Sequence, residues 1–190
     1  MIDGVAARIE DDIITESEVR ELAAFQTLVD GQAKPRAERI RELADQWVVS
    51  NEADVAQYHQ PPPQEVDHAF DELLARFPSR EDFEKRCATA GIGETAIRRI
   101  LTEQLYLSHF IDYRFRPAAQ VDQDQIEAYF KNELVPELKA RNQQIPELGD
   151  VEDTIREILV QRAINLRSAQ WLDETRARLK IDVMSQGDRE

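Results

Sequence analysis

Few side chains in this chain can move a proton, bind a metal or attack a carbonyl near neutral pH. Three histidines, His59, His68 and His109, are the natural neutral-pH proton carriers. His59 sits in a proline-rich stretch, and the other two fall on different helical segments. No His-x-x-x-His or His-Glu-x-x-His spacing occurs to place two imidazoles on one helix face. Cys87 is the sole cysteine, so it has no intramolecular disulfide partner and cannot build a cysteine-based zinc site. It shares an apolar helical stripe with Phe83, which points to a buried thiol and not a nucleophile. Gly91-Ile92-Gly93 lacks the preceding strand and third glycine of a phosphate loop, and a helix C-cap explains it better. No Gly-x-Ser-x-Gly elbow is present. Carboxylate runs such as Glu10-Asp11-Asp12 and Asp122 to Asp124 read as turns and helix N-termini, where negative charge favours the helix dipole. No catalytic residue, cofactor or metal is expected.

The elements around these residues are mostly helical. Six glycines and eight prolines in 190 residues favour long helices over a many-stranded sandwich. Val5 to Glu10 and Ile13 to Thr15 read as short extended segments about an Asp11-Asp12 turn. Thr15 or Ser17 caps a first helix that carries Val19, Leu22, Ala23, Gln26 and Val29 and ends near Asp30-Gly31. Pro35 opens a second, with Ala37, Ile40, Ala44, Trp47 and Val48 as its stripe, running into the low fifties. Pro61-Pro62-Pro63 breaks the chain, and Pro63 starts a third with Val66, Phe70, Leu73, Leu74 and Phe77. Ser79 caps a short helix closed by Gly91. A long helix runs from Gly93-Glu94 to about Phe115, before Pro117. Asp122 starts a helix carrying Ile126, Tyr129, Phe130 and Leu134, which Pro136 kinks or ends. A polar linker spans Asn142 to Gly149. The last helix is expected from about Val151 to Leu179, with Ile155, Ile158, Leu159, Leu166, Ala169 and Leu172 aligned. Ile181 to Val183 alternates like a strand that can pair with the N-terminal segment. The fold class is therefore mostly α, with a small β-sheet formed by the N- and C-terminal segments.

Two helices carry more apolar surface than one core face needs. On the long helix, Ile97, Ile100, Leu101, Leu105, Ile111 and Phe115 form one stripe, while Tyr106, Phe110 and Tyr113 recur at i, i+4 and i+7 on the other side. On the last helix, Val160, Ile164 and Trp171 oppose the main stripe. Burial on both sides of a central helix is the plainer explanation. The functional one is an exposed groove for extended polypeptide, or a dimer face, for which Tyr106, Phe110, Tyr113, Val160, Ile164 and Trp171 are the candidate contact residues.

Composition narrows the partners. A net charge of −14 opposes phosphate backbones and anionic membrane surfaces, so neither nucleic acid nor membrane insertion is expected. No apolar run approaches the roughly 20 residues that span a bilayer.

The order of the pieces resembles one known family. Ile2-Asp3-Gly4-Val5-Ala6-Ala7-Arg8-Ile9-Glu10-Asp11-Asp12-Ile13-Ile14-Thr15-Glu16-Ser17-Glu18 is similar to the opening of the SurA N-terminal domain family of periplasmic chaperones. Ile40 to Trp47, Phe77 to Gly91, Ile97 to Arg116 with its Arg114-Phe115-Arg116-Pro117 exit, and Arg162 to Glu174 then follow in that family's order. The resemblance covers nearly the whole chain. It departs in two places: Glu10 stands where the family's opening usually has asparagine, and only Ala118 to Asp150 fills the interval that usually holds a parvulin-type prolyl isomerase domain. The resemblance thus implies a helical core over 1–117, a helix and linker over 118–150 in place of the parvulin domain, and a C-terminal helix and strand over 151–184 packing back on the core. A disordered tail over 185–190 is expected after them. It further implies an exported periplasmic protein, its leader removed, that holds unfolded outer-membrane or secreted polypeptides without ATP and has no isomerase activity. The alternative is a helical adaptor or assembly protein using the same apolar faces for one fixed partner or for a homodimer made by exchange of the C-terminal helix.

Overall fold

The alternation at the N-terminus folds as a hairpin. In the structure, a computed structural model, residues 3–184 are described; the tail 185–190 expected to be disordered lies outside the described residues. Strand β1 (Val5–Ile9) pairs antiparallel with β2 (Asp12–Thr15), with Ile9 opposite Asp12 and Glu10-Asp11 as the two-residue turn. Such a turn needs positive φ, and Glu10 adopts φ 50°. Asparagine tolerates that conformation better than glutamate. Here the Glu10 carboxylate compensates by accepting from the Lys180 N–H at 2.7 Å, while its own N–H donates to the Lys180 carbonyl at 3.0 Å. That clasp delivers β3 (Ile181–Val183) to the free edge of β1, giving the order β2-β1-β3. The expected pairing of the two ends of the chain is therefore present, in a mostly helical protein.

Helix α1 (Glu16–Asp30) starts at a capping box. Thr15 Oγ1 accepts from the Glu18 N–H, and the Glu18 carboxylate accepts from the Thr15 N–H at 2.7 Å, so two otherwise orphaned donors are satisfied. Gly31 in the left-handed region ends the helix. Helix α2 (Arg36–Val55) follows Pro35, α3 (Pro63–Ala75) begins on Pro63, and α4 (Arg80–Ala90) lies between the Ser79 cap and Gly91. Helix α5 covers Glu94–Phe115.

Helix α1 buries more than its expected stripe. Val19 joins Ala6, Ala7, Ile9, Ile14, Ile40 and Ala44 in one core beside the sheet. Phe25 and Leu28, absent from that stripe, join Phe70, Leu73, Phe83, Cys87, Ile97 and Leu101 in a second core among α1, α3, α4 and α5. Phe83 anchors this second core by meeting the edges of Phe70 and Phe77 at centroid distances of 5.8 and 5.2 Å. A fully buried side chain of this size stabilises by about 1.5–3 kcal/mol. Ala37, expected on the α2 stripe, is exposed instead.

After Phe115 the chain forms α6 (Gln123–Tyr129), a π-helical turn over Phe130–Leu134, and α7 (Val135–Ala140). Pro136 neither ends the helix nor interrupts it. Proline has no N–H and its ring collides with the carbonyl four residues back, and the wider π turn before it accommodates both. Helix α8 (Leu148–Arg176) begins and ends about one turn earlier than periodicity suggests.

The chain divides into two compact units, residues 1–110 with 172–190 and residues 111–171. These boundaries differ from the 117 and 150 expected above, because residues on both sides of those positions bind one another. In the second unit Arg116 pairs with Glu157 at 2.8 Å, Arg156 donates to the Val121 carbonyl at 3.3 Å, and Arg162 reaches Glu133 at 2.8 Å. In the first unit the end of α8 meets α2, where Arg41 pairs with Asp173 at 3.3 Å and Arg176 Nε lies 2.9 Å from Asp45 Oδ1. The described C-terminal segment, Leu172 to Met184, thus packs on the helical core.

The long α8 does not bury one stripe. Ile155 and Ile164 are both fully buried. Nine residues at about 100° each put them on opposite sides of an ideal helix. Ile158 and Leu166, expected on the core stripe, are 37% and 62% exposed, and Ala169 is exposed as well. The buried side changes along the helix, so a single stripe drawn through its whole length misplaces both.

Candidate functional site

Two adjoining open clefts lie in the first unit. The larger, about 560 Å³, has an apolar floor from Leu22, Phe25, Leu73, Leu101 and Leu105. Helices α1, α3 and α5 contribute these residues, of which Phe25, Leu73 and Leu101 also belong to the second core. Its mouth is fixed by a polar clasp. Gln26, only 5% exposed, donates through Nε2 to Glu42 at 3.1 Å and accepts from the Lys34 N–H at 3.0 Å. Lys34 Nζ closes the clasp on Glu42 at 2.9 Å. That hydrogen bond and the Glu42 charge hold the Lys34 ammonium above its ordinary value. A buried amide satisfied on both ends costs little and orients what surrounds it.

The smaller cleft, about 300 Å³, shares Leu22 and Gln104 with the larger one. Ile13, Leu43, Trp47 and Ile100 supply its apolar lining. Trp47 is held by its Nε1–H, which donates to Asp12 at 2.9 Å. Glu103 stands in this lining half-buried. Burial first, and then repulsion from Asp54, push its carboxyl above the usual range, against the opposing pull of Arg99.

The six residues expected to contact polypeptide fall in different surroundings. In the first unit Tyr106 and Phe110 are each 1% exposed. Tyr106 donates its hydroxyl to Asp54 at 2.9 Å, and Tyr58 packs against both rings, at 6.0 Å from Tyr106 and edge-on at 5.6 Å from Phe110. Both are core residues, inaccessible to a client in the folded state. In the second unit Ile164 is fully buried, which also removes it from any surface. Val160 and Trp171 are half-buried, and Tyr113 is 63% exposed. Trp171 packs on Phe115 at 5.7 Å and lies under the Arg114 guanidinium at 4.8 Å.

The histidines are not gathered into a site. His68 lies 3.3 Å from Glu72, and His109 lies 3.6 Å from Glu65. Among the described residues no group of three or more His, Cys, Asp or Glu side chains is arranged to hold a metal ion. Burial, with repulsion from Glu84 and Glu94, raises the Cys87 thiol above its ordinary value. Among the described residues no helix is long and apolar enough to cross a membrane.

The cleft residues were not singled out by periodicity, because Leu22, Phe25 and Leu101 look like any core leucine or phenylalanine. One signal pointed there: Gln26 interrupts the apolar stripe of α1, and a polar residue in such a position needs partners nearby. No family model matches the chain, and no curated protein matches it either.

Proposed function

We propose that the chain is an ATP-independent holdase of the periplasm that binds unfolded outer-membrane or secreted polypeptides through the larger cleft. The observation that carries this reading is an open cleft of about 560 Å³ over a largely buried floor of Leu22, Phe25, Leu73, Leu101 and Leu105, adjoining a second partly apolar cleft. Open apolar clefts suit short stretches of extended chain, where side chains enter and the backbone remains at the surface. The ordered resemblance to the SurA N-terminal domain family supports the same reading, as does a mostly helical chain whose two ends meet in one small sheet. The segment 118–150 forms helices and a connection. The reading assigns no catalytic step to any residue.

Aggregation of an unfolded β-barrel protein tests it. The chain is expected to suppress light scattering at near-stoichiometric ratios. Ser108→Trp, an exposed position at the mouth of the larger cleft, should weaken this by filling the cleft while helicity stays unchanged. No suppression at several-fold excess refutes the proposal.

A second reading is favoured by Ile158 and Leu166, exposed on α8 little more than two turns apart. Exposed aliphatic side chains on a helix suit a fixed partner or a second copy of the chain. Sedimentation that depends on concentration, and loses that dependence in Leu166→Lys, would support it.

A further inference from the structure

Holding apolar chain makes no use of Glu103. It is half-buried in the smaller cleft and makes no hydrogen bond among the described residues. The other charged groups of that lining are committed. Glu18 closes the capping box of α1, and Arg99, the single cation among the described lining residues, is paired with Glu21. The lining thus carries three carboxylates and one guanidinium, and Glu103 is the carboxylate not held by a hydrogen bond.

We propose that the smaller cleft is a subsite for a lysine or arginine side chain carried by a bound extended polypeptide. The methylene stem lies along Leu22, Leu43, Trp47 and Ile100, and the charge meets Glu103. This rests on the reading of the larger cleft as the polypeptide site. The two clefts share Leu22 and Gln104, so one extended segment reaches both. Side chains two residues apart on an extended chain point the same way about 7 Å from one another. The segment recognised is thus a large apolar residue, any residue, then a basic one. Long cationic side chains suit such a lining because their stems are apolar and only the head needs a counter-charge. The tryptophan adds ring surface that attracts a cation. A half-desolvated carboxylate with no hydrogen bond gains more from an incoming cation than a solvated surface carboxylate does. Burial and Asp54 already hold Glu103 above its ordinary protonation range, which is the condition such a cation relieves.

Two fluorescent peptides of equal length, differing only in lysine or glutamine at the third position of the apolar-x-basic unit, are titrated into the full chain by anisotropy. The lysine peptide is expected to bind about five- to tenfold more tightly at low salt, and Glu103→Gln should erase the preference without weakening the glutamine peptide. Glu103→Lys should reverse it toward a glutamate peptide. Equal binding of both peptides to the unaltered chain overturns the subsite while leaving polypeptide holding intact. A lysine preference undiminished in Glu103→Gln overturns the placement. If neither peptide binds and the chain also fails to suppress aggregation, the holding function and the subsite fall together.

Discussion

Truncating Tyr106 separates a core role from a client-gripping one. The ring is enclosed, with 1% of the residue exposed, and truncating a buried aromatic to alanine costs about 3–5 kcal/mol. Its hydroxyl bond to Asp54 adds less. Asp54 is itself exposed, so its carboxylate regains water when the partner is lost, and the bond is worth about 1 kcal/mol. Tyr106→Phe should therefore cost about 1 kcal/mol and Tyr106→Ala about 4 kcal/mol, measured by urea unfolding followed by far-ultraviolet circular dichroism. Below the unfolding transition, both variants should hold clients as the unaltered chain does. Burial first, then the hydrogen bond and charge of Asp54, push the Tyr106 hydroxyl up to about 12. A folded-state value above the unfolded value of about 10 means that this contribution is intact below pH ~10 and lost as the pH rises toward 12. One phenolate equivalent should accordingly form only near pH 12 in the folded protein and vanish from the titration in Tyr106→Phe. A Tyr106→Ala cost under about 1 kcal/mol, or lost client holding with stability intact, refutes this placement of Tyr106.

Three further outcomes are expected. Thr15→Ala removes the capping box that starts α1 and should lower stability by about 1 kcal/mol in the same urea experiment; no change would mean water replaces the cap without loss. Cys87 is buried and its thiol is raised by burial, so alkylation at pH 8 should be slow in the folded protein and fast in urea, and rapid native labelling would contradict this. Asp45 is raised by burial despite Arg176 and Arg41, and its Oδ1 makes no hydrogen bond although Arg176 Nε lies within ion-pair distance. Its contribution is present below the unfolded value of about 4 and lost as pH rises through the folded value. Asp45→Asn should therefore leave stability at pH 7 unchanged or higher by about 1 kcal/mol, and a loss of 2 kcal/mol or more in thermal or urea unfolding would contradict it.

Much of the fold was legible in the residues because the signals that set it act over a few positions. Thr15 with Glu18, Ser79, Gly31 and Gly91 start or stop helices through their own backbone neighbourhoods, and the structure places those ends where the residues indicate. Alternation around Glu10-Asp11 and in Ile181 to Val183 specified strands for the same reason. The faces of the long helices were another matter. Which side of α8 is buried depends on α6, the π turn and residues 112–121, brought close only by folding. Ile155 and Ile164 are therefore buried on opposite sides, and Ile158 and Leu166 are left out. The same limit hid the clefts. Leu22, Trp47 and Glu103 lie far apart in the chain, and no local pattern reports that a half-desolvated carboxylate will stand beside them. Caps and turns are written in neighbouring residues, whereas burial and the charge environment of a site are sums over distant ones, which exist only once the chain has packed.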